Sequence, residues 1–183
     1  MPTQTELRTL NIDTNHSSAE FTARHMVFSK VRGAIGGVTG VVHVSADSVV
    51  PVDFSAELDA STINTGTADR DAHLRSADFL DVEKYPKITF ASTSVNATGD
   101  ATFSAVGDLT IHGVTLPVTL QCEVDGSGRD PWGFDRVSYS ATTKVNRKDF
   151  GLTWNQTLET GGVLVGEDLD VRLTVQAVSQ PAS

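Results

Sequence analysis

Apolar and polar residues alternate with a period of two along most of this chain, the pattern of strands that bury one face. The clearest case is Val52 to Leu58, where Val52, Phe54, Ala56 and Leu58 share one side and Asp53, Ser55 and Glu57 the other. The same phase runs through Val114, Leu116, Val118, Leu120, Cys122 and Val124, and again through Leu169, Val171, Leu173, Val175 and Ala177. Further runs lie at Leu10 to Asp13, Ala19 to Ala23, Val41 to Val44, Lys87 to Val95, Thr102 to Ile111 and Val137 to Val145. The chain is therefore mainly β, with about eight strands. Antiparallel pairing is favoured, because alternation implies one wet face whereas parallel sheets are buried on both.

Punctuation between the runs supports this reading. His112-Gly113 predicts a tight hairpin, and Pro117, with no N–H to donate, predicts an edge or a bulge. Gly33, Gly36, Gly37 and Gly40 fall within eight residues but lack the spacing of a phosphate or dinucleotide loop. They predict a bent strand of the kind a closing sheet needs. No linker divides the chain, so one domain over residues 1–183 is expected, frayed at 1–9 and 179–183. Periodicity alone does not choose between a sandwich and a barrel.

One stretch breaks the rule of two. From Thr65 to Ala91 the pattern predicts one short helix near residues 67–80, with Thr67 as N-cap, Asp69 and Asp71 in the first turn, and Arg75 placed to pair with Asp71. Tyr85-Pro86 then forces extended backbone. A helix this short is marginal alone and must pack on something.

Composition narrows the functional classes. The net charge is −9 with no cluster of Lys or Arg, which argues against nucleic acid as a partner and against strong electrostatic docking to anionic membranes. The single cysteine, Cys122, excludes an internal disulfide and shares the buried phase of its strand, as a small hydrophobe would. The N-terminus does not read as a signal peptide, and no apolar run reaches membrane-spanning length. A cytoplasmic protein without stable membrane insertion is expected. No cofactor is expected, and a homodimer is left open. The five histidines, His16, His25, His43, His73 and His112, show no ligand spacing for a metal. There is no nucleophile elbow, and caps and solvated faces account for the dense Asp69, Asp71, Asp78 and Asp81.

Several motifs carry a resemblance. TGTADRDAHLRS (65–76), followed by DF, YPKITF, GDLTIHGVTLPVTL (107–120), NRKDFGL (146–152) and VGEDLDVRL (165–173), is similar in content and order to the YceI-like polyisoprenoid-binding proteins. The resemblance runs over roughly Leu10 to Val178. It implies an extended eight-stranded antiparallel, lipocalin-like barrel holding a long-chain amphiphile: an isoprenoid lipid such as a polyprenyl phosphate or quinone, or a related fatty derivative. It implies a carrier or reservoir without turnover. Leu10 stands where the family often has Trp. Without the resemblance, the aromatics would be read as core, since small barrels are often filled.

Motif position and strand phase then nominate Phe21, Met26, Phe28, Phe54, Leu58, Leu74, Phe79, Phe90, Ile111, Trp132, Tyr139, Phe150 and Trp154 as cavity wall. They nominate His25, Arg70, His73, Asn146 and Arg147 as polar groups near the mouth. For Arg147 the alternatives are a head-group contact or a local pair with Asp149. The competing functions are an enzyme acting on a bound amphiphile, which needs a titratable pair in the cavity, and an interaction domain with a filled core.

Overall fold

A computed structural model describes residues 6–179. Ten strands form: β1 (Leu7–Ile12), β2 (Ser18–His25), β3 (Ser29–Ile35), β4 (Thr39–Ser45), β5 (Pro51–Asp59), β6 (Lys87–Ala97), β7 (Thr102–Ile111), β8 (Val114–Arg129), β9 (Asp135–Asn146) and β10 (Val165–Ser179). One α-helix, α1 (Ala68–Arg75), interrupts them. All pairings between strands are antiparallel, in the order β1-β4-β5-β6-β7-β8-β9-β10-β2-β3, and β1 also pairs with β10.

Ten strands make an eight-stranded closed barrel because two of its staves are broken. β10 pairs first with β2, from Val165–His25 to Thr174–Ser18, and then with β1 at Ala177–Ile12 and Val178–Asn11. So β1 and β2 lie end to end on one neighbour, separated by a 3-10 turn at Thr14–His16. The Asp13 carboxylate holds this break: it accepts from Asn15 N at 3.1 Å and meets Arg136 at 2.9 Å. The partner stave, β3 and β4, breaks at 36–38, where Gly37 has φ +64°. This is the bend the glycine cluster predicts.

Other expectations resolve locally. His112 and Gly113 both take left-handed backbone in the β7–β8 hairpin. Pro117 lies in the half of β8 that pairs only with β7, since pairing with β9 starts at Gln121; that half is an edge. The expected fraying at the start is corrected. Leu7, Arg8 and Thr9 pair with Ser45, Val44 and His43, because the alternation of β1 continues through them. Ser179 likewise pairs with Asp135. Residues 1–5 and 180–183 lie outside the described residues.

α1 starts at the expected place but is held differently. Thr67 has the extended backbone of an N-cap yet makes no side-chain cap bond. Instead the Asp71 carboxylate turns back to accept from Thr65 N at 2.8 Å and Thr65 Oγ1 at 2.5 Å. Asp71 is thus committed, and Arg75 donates to the Ile63 carbonyl rather than pairing with it.

Alternating connections give the barrel two unlike ends. At one end, 46–50, 98–101 and 130–134 make short turns; at the other, 26–28, 60–86, 112–113 and 147–164 include all the long connections and α1. The inward side chains at the short-turn end, Leu10, Val44, Ala105, Val137 and Ala177, are almost wholly buried and shut it. Leu10 belongs to this plug.

Candidate ligand-binding cavity

Farther up the barrel the inward residues stop meeting one another. Leu169, Val171, Leu173 and Val175 of β10 point inward, yet they are only half-buried. They face a cavity of about 560 Å³, within the usual range for small-molecule sites. The stripe from Leu169 to Val175 covers about 20 Å of strand, so the space is elongated.

Two aromatic side chains leave room by lying against the wall. Phe21 sits over Gly33 of the neighbouring strand, where a β-carbon would collide with the tip of its ring. Phe90 covers Gly107 in the same way and stacks on Phe54 with centroids 5.5 Å apart. Aromatic cover over a strand glycine fixes register as well as shape. Toward the floor, Tyr139 closes edge-on against Phe103, and its hydroxyl donates to the Val49 carbonyl at 2.6 Å.

The open end is framed by α1, the 147–164 connection and the β2–β3 turn. His73 of α1 meets Trp154 edge-on at 4.7 Å and Phe79 at 5.1 Å, and its Nε2 lies 2.9 Å from Asp78. Arg70 donates to Thr65 Oγ1 and to the Thr65 carbonyl. Arg147, 3% exposed, donates to four backbone carbonyls: Gly166 at 2.8 Å, Leu152 at 2.6 Å, Trp154 at 2.9 Å and Val165 at 3.2 Å. Burial pulls its pKa down, with Glu167 acting the other way, but a guanidinium stays charged in proteins. Arg147 therefore stitches the connection around itself and has no local pair with Asp149 among its contacts.

Of the residues nominated from sequence, Phe21, Phe54, Leu58, Leu74, Phe79, Phe90, Ile111, Tyr139 and Trp154 border the cavity, together with His25, Arg70, His73 and Arg147. Five do not. Phe28 is 81% exposed on the β2–β3 turn beside exposed Met26, because three residues of left-handed or turning backbone carry them past the end of the wall. Trp132, 75% exposed, sits on the β8–β9 turn at the plugged end. Phe150 is buried in the 3-10 turn after β9, outside the lining. Asn146 caps that turn, accepting from Lys148 N at 3.0 Å.

Residues 10–177 match the family described as the YceI-like domain. The chain belongs to the YceI-like family. It is similar to a UPF0312 protein of Pseudomonas putida, 39% identical over 167 residues that cover 90% of this chain and 82% of the relative. The solved YceI protein of Campylobacter jejuni superposes with TM-score 0.72 at 25% identity, covering 86% of this chain and 90% of that one. A polyisoprenoid binding domain from Saccharophagus degradans, implicated in plant cell wall breakdown, shares the fold: TM-score 0.68 at 13% identity, covering 96% of this chain and 100% of that one.

The wall of this YceI-like barrel includes aliphatic positions that the nominations passed over: the β10 stripe, Ile35, Leu109 and Cys122. Their alternation is visible in the sequence. Burial pushes the Cys122 thiol up to about 12, so it acts as a small apolar wall group. Among the described residues there is no cluster of three or more His, Cys, Asp or Glu that could hold a metal ion, and no helix long and apolar enough to cross a membrane.

Proposed function

We propose that the protein binds one long-chain amphiphile, an isoprenoid or fatty chain, inside the barrel and carries or stores it without turning it over. The observation that supports this most is the elongated apolar cavity, closed at one end by Leu10, Val44, Ala105, Val137 and Ala177 and framed by polar groups at the other. Each buried CH₂ contributes about 0.8 kcal/mol against an association cost of roughly 4–15 kcal/mol. Chain length then sets affinity, and chains shorter than about ten carbons scarcely bind. The head group rests at the open end, near His25, Arg70 and His73, and sets the direction of entry. The polyisoprenoid binding of the Saccharophagus neighbour agrees with this reading.

Carriage fits the polar groups better than catalysis does. Arg147 is spent on four carbonyls, Arg70 on Thr65, and His73 Nε2 on Asp78. A guanidinium spent in this way cannot serve a substrate, whereas His73, with one ring nitrogen on a carboxylate, keeps the other and is a group an acid–base reading would have to use.

Native mass spectrometry of the purified protein, followed by solvent extraction, tests the reading. A stoichiometric prenyl or long acyl lipid is the expected result. Val171→Trp, which fills the cavity from β10, should keep the fold and lose that cargo. A wild-type protein that stays empty after incubation with polyprenyl and fatty lipids, or a filled variant that binds them equally well, would overturn the proposal.

A further inference from the structure

The turn joining β2 to β3 carries apolar residues where turn chemistry asks for polar ones. Met26 and Val27 both hold left-handed backbone, with φ 53° and 69°. Asparagine and glycine suit that conformation, and a β-branched residue there is an outlier. Val27 is 54% exposed and Phe28 follows it, more exposed still. Large apolar side chains held in water by strained backbone mark a contact surface.

The patch extends onto a second segment. Exposed Val163 belongs to the loop before β10, and its neighbour Gly162 lies so close that a β-carbon there would come within 2.7 Å of Val27 Cγ2. The patch also adjoins the cavity mouth. Met26 N donates to the Leu164 carbonyl at 2.8 Å, and Leu164 and His25 both line the cavity.

The hairpin is locally basic. Residues 18–35 carry Arg24, Lys30 and Arg32 against Glu20 alone, a local balance of +2 in a protein of net charge −9. Arg24 and Lys30 are directly paired across the hairpin, just behind the apolar tip. An apolar tip with cations set behind it matches the layering of a bilayer surface, acyl chains within and anionic head groups outside.

We propose that Val27, Phe28 and Val163, flanked by Arg24 and Lys30, form a docking surface for a lipid bilayer. Docking there sets the cavity mouth against the membrane from which cargo enters or to which it returns. With so few apolar groups the attachment is weak and reversible, as loading and departure require. The identity of the cargo rests on the preceding proposal; the attachment does not.

The test is flotation of the full chain with phosphatidylcholine vesicles, with and without phosphatidylglycerol. The wild-type protein should float with the vesicles. A Val27→Ser/Phe28→Ser double variant should bind roughly 10-fold or more weakly. Lys30→Glu should weaken binding several-fold, and only where phosphatidylglycerol is present. Circular dichroism checks the fold of each. None of these residues lines the cavity, so uptake of a detergent-dispersed prenyl lipid should match wild type in both variants. That readout separates a failure of docking from a failure of the cargo reading. A wild-type chain that does not float, or a double variant that floats as well, overturns the proposal. So does a wild-type dimer in sedimentation that the double variant converts to monomer, since the patch would then join two copies.

Discussion

The plugged and the open halves of the barrel are made from the same alternating strands, and they differ in how well opposite walls reach each other. At the short-turn end Leu10, Val44 and Val137 face small Ala105 and Ala177, and little space remains. Higher up, Leu173, Val171 and Leu169 continue the stripe of β10 in the same phase, but they look across a void. Alternation therefore decides which side chains point inward, and says nothing about whether the space they point into is full. Stability in such a barrel should concentrate at the plug and in the frame of the mouth, leaving the cavity wall between them comparatively expendable.

The largest expected departure from an even distribution is at the mouth. Arg147→Met should cost about 3–5 kcal/mol, because removing the guanidinium leaves buried carbonyls without a donor. Urea denaturation measures it, and Arg147→Lys should rescue little, since an ammonium cannot reproduce the planar fork. A change near zero would mean that the 147–164 connection is not held by this side chain.

Next comes the direct contrast between plug and wall. Leu10→Ala should destabilise by about 3 kcal/mol, as a closely packed core leucine does. Leu173→Ala should cost about 1 kcal/mol or less, because its methyl groups already border open space. Equal shifts in the urea midpoint would show that the cavity is collapsed in solution.

The smallest effect concerns α1. Hydrogen bonds from Thr65, chiefly from its hydroxyl, hold the Asp71 carboxyl below its ordinary value of 3.8. A depressed carboxylate contributes stability that is present above that value and is lost as pH falls from 3.8 through the folded pKa. Asp71→Asn should therefore flatten the acid side of the stability profile below about pH 4 and leave the slope at neutral pH unchanged. An unaltered acid limb would show that this clasp does not couple to folding.

Much of the fold was legible, and the failures have physical causes. β3 was legible only as the bent strand around its glycines, although Val31 and Ile35 face inward and Lys30 and Arg32 outward. Gly33 occupies the inward position between them, so the apolar beat is missing where the backbone keeps it. The cavity lining was legible where phase and motif agreed, as at Phe54, Leu58, Phe90 and Tyr139. Phe28 and Trp132, nominated as wall, sit instead on turns at opposite ends, where strand phase no longer fixes the direction of a side chain. Arg147 borders the cavity as nominated, but no sequence pattern announces that four backbone carbonyls surround its guanidinium.

The packing of Phe21 against Gly33 has an evolutionary consequence. The atoms that a β-carbon at Gly33 would meet first are the outer atoms of the Phe21 ring, which can swing into the lumen, and then the Thr65 methyl at 2.9 Å, which would have to shift slightly. At Gly107 the obstacle includes the Ala91 carbonyl as well as the Phe90 ring, and backbone does not yield so cheaply. One added methyl at Gly33 would therefore narrow the bore while leaving the outer surface untouched. A lineage could change the girth of the molecule it admits through that position alone, and its partners outside would meet the same protein.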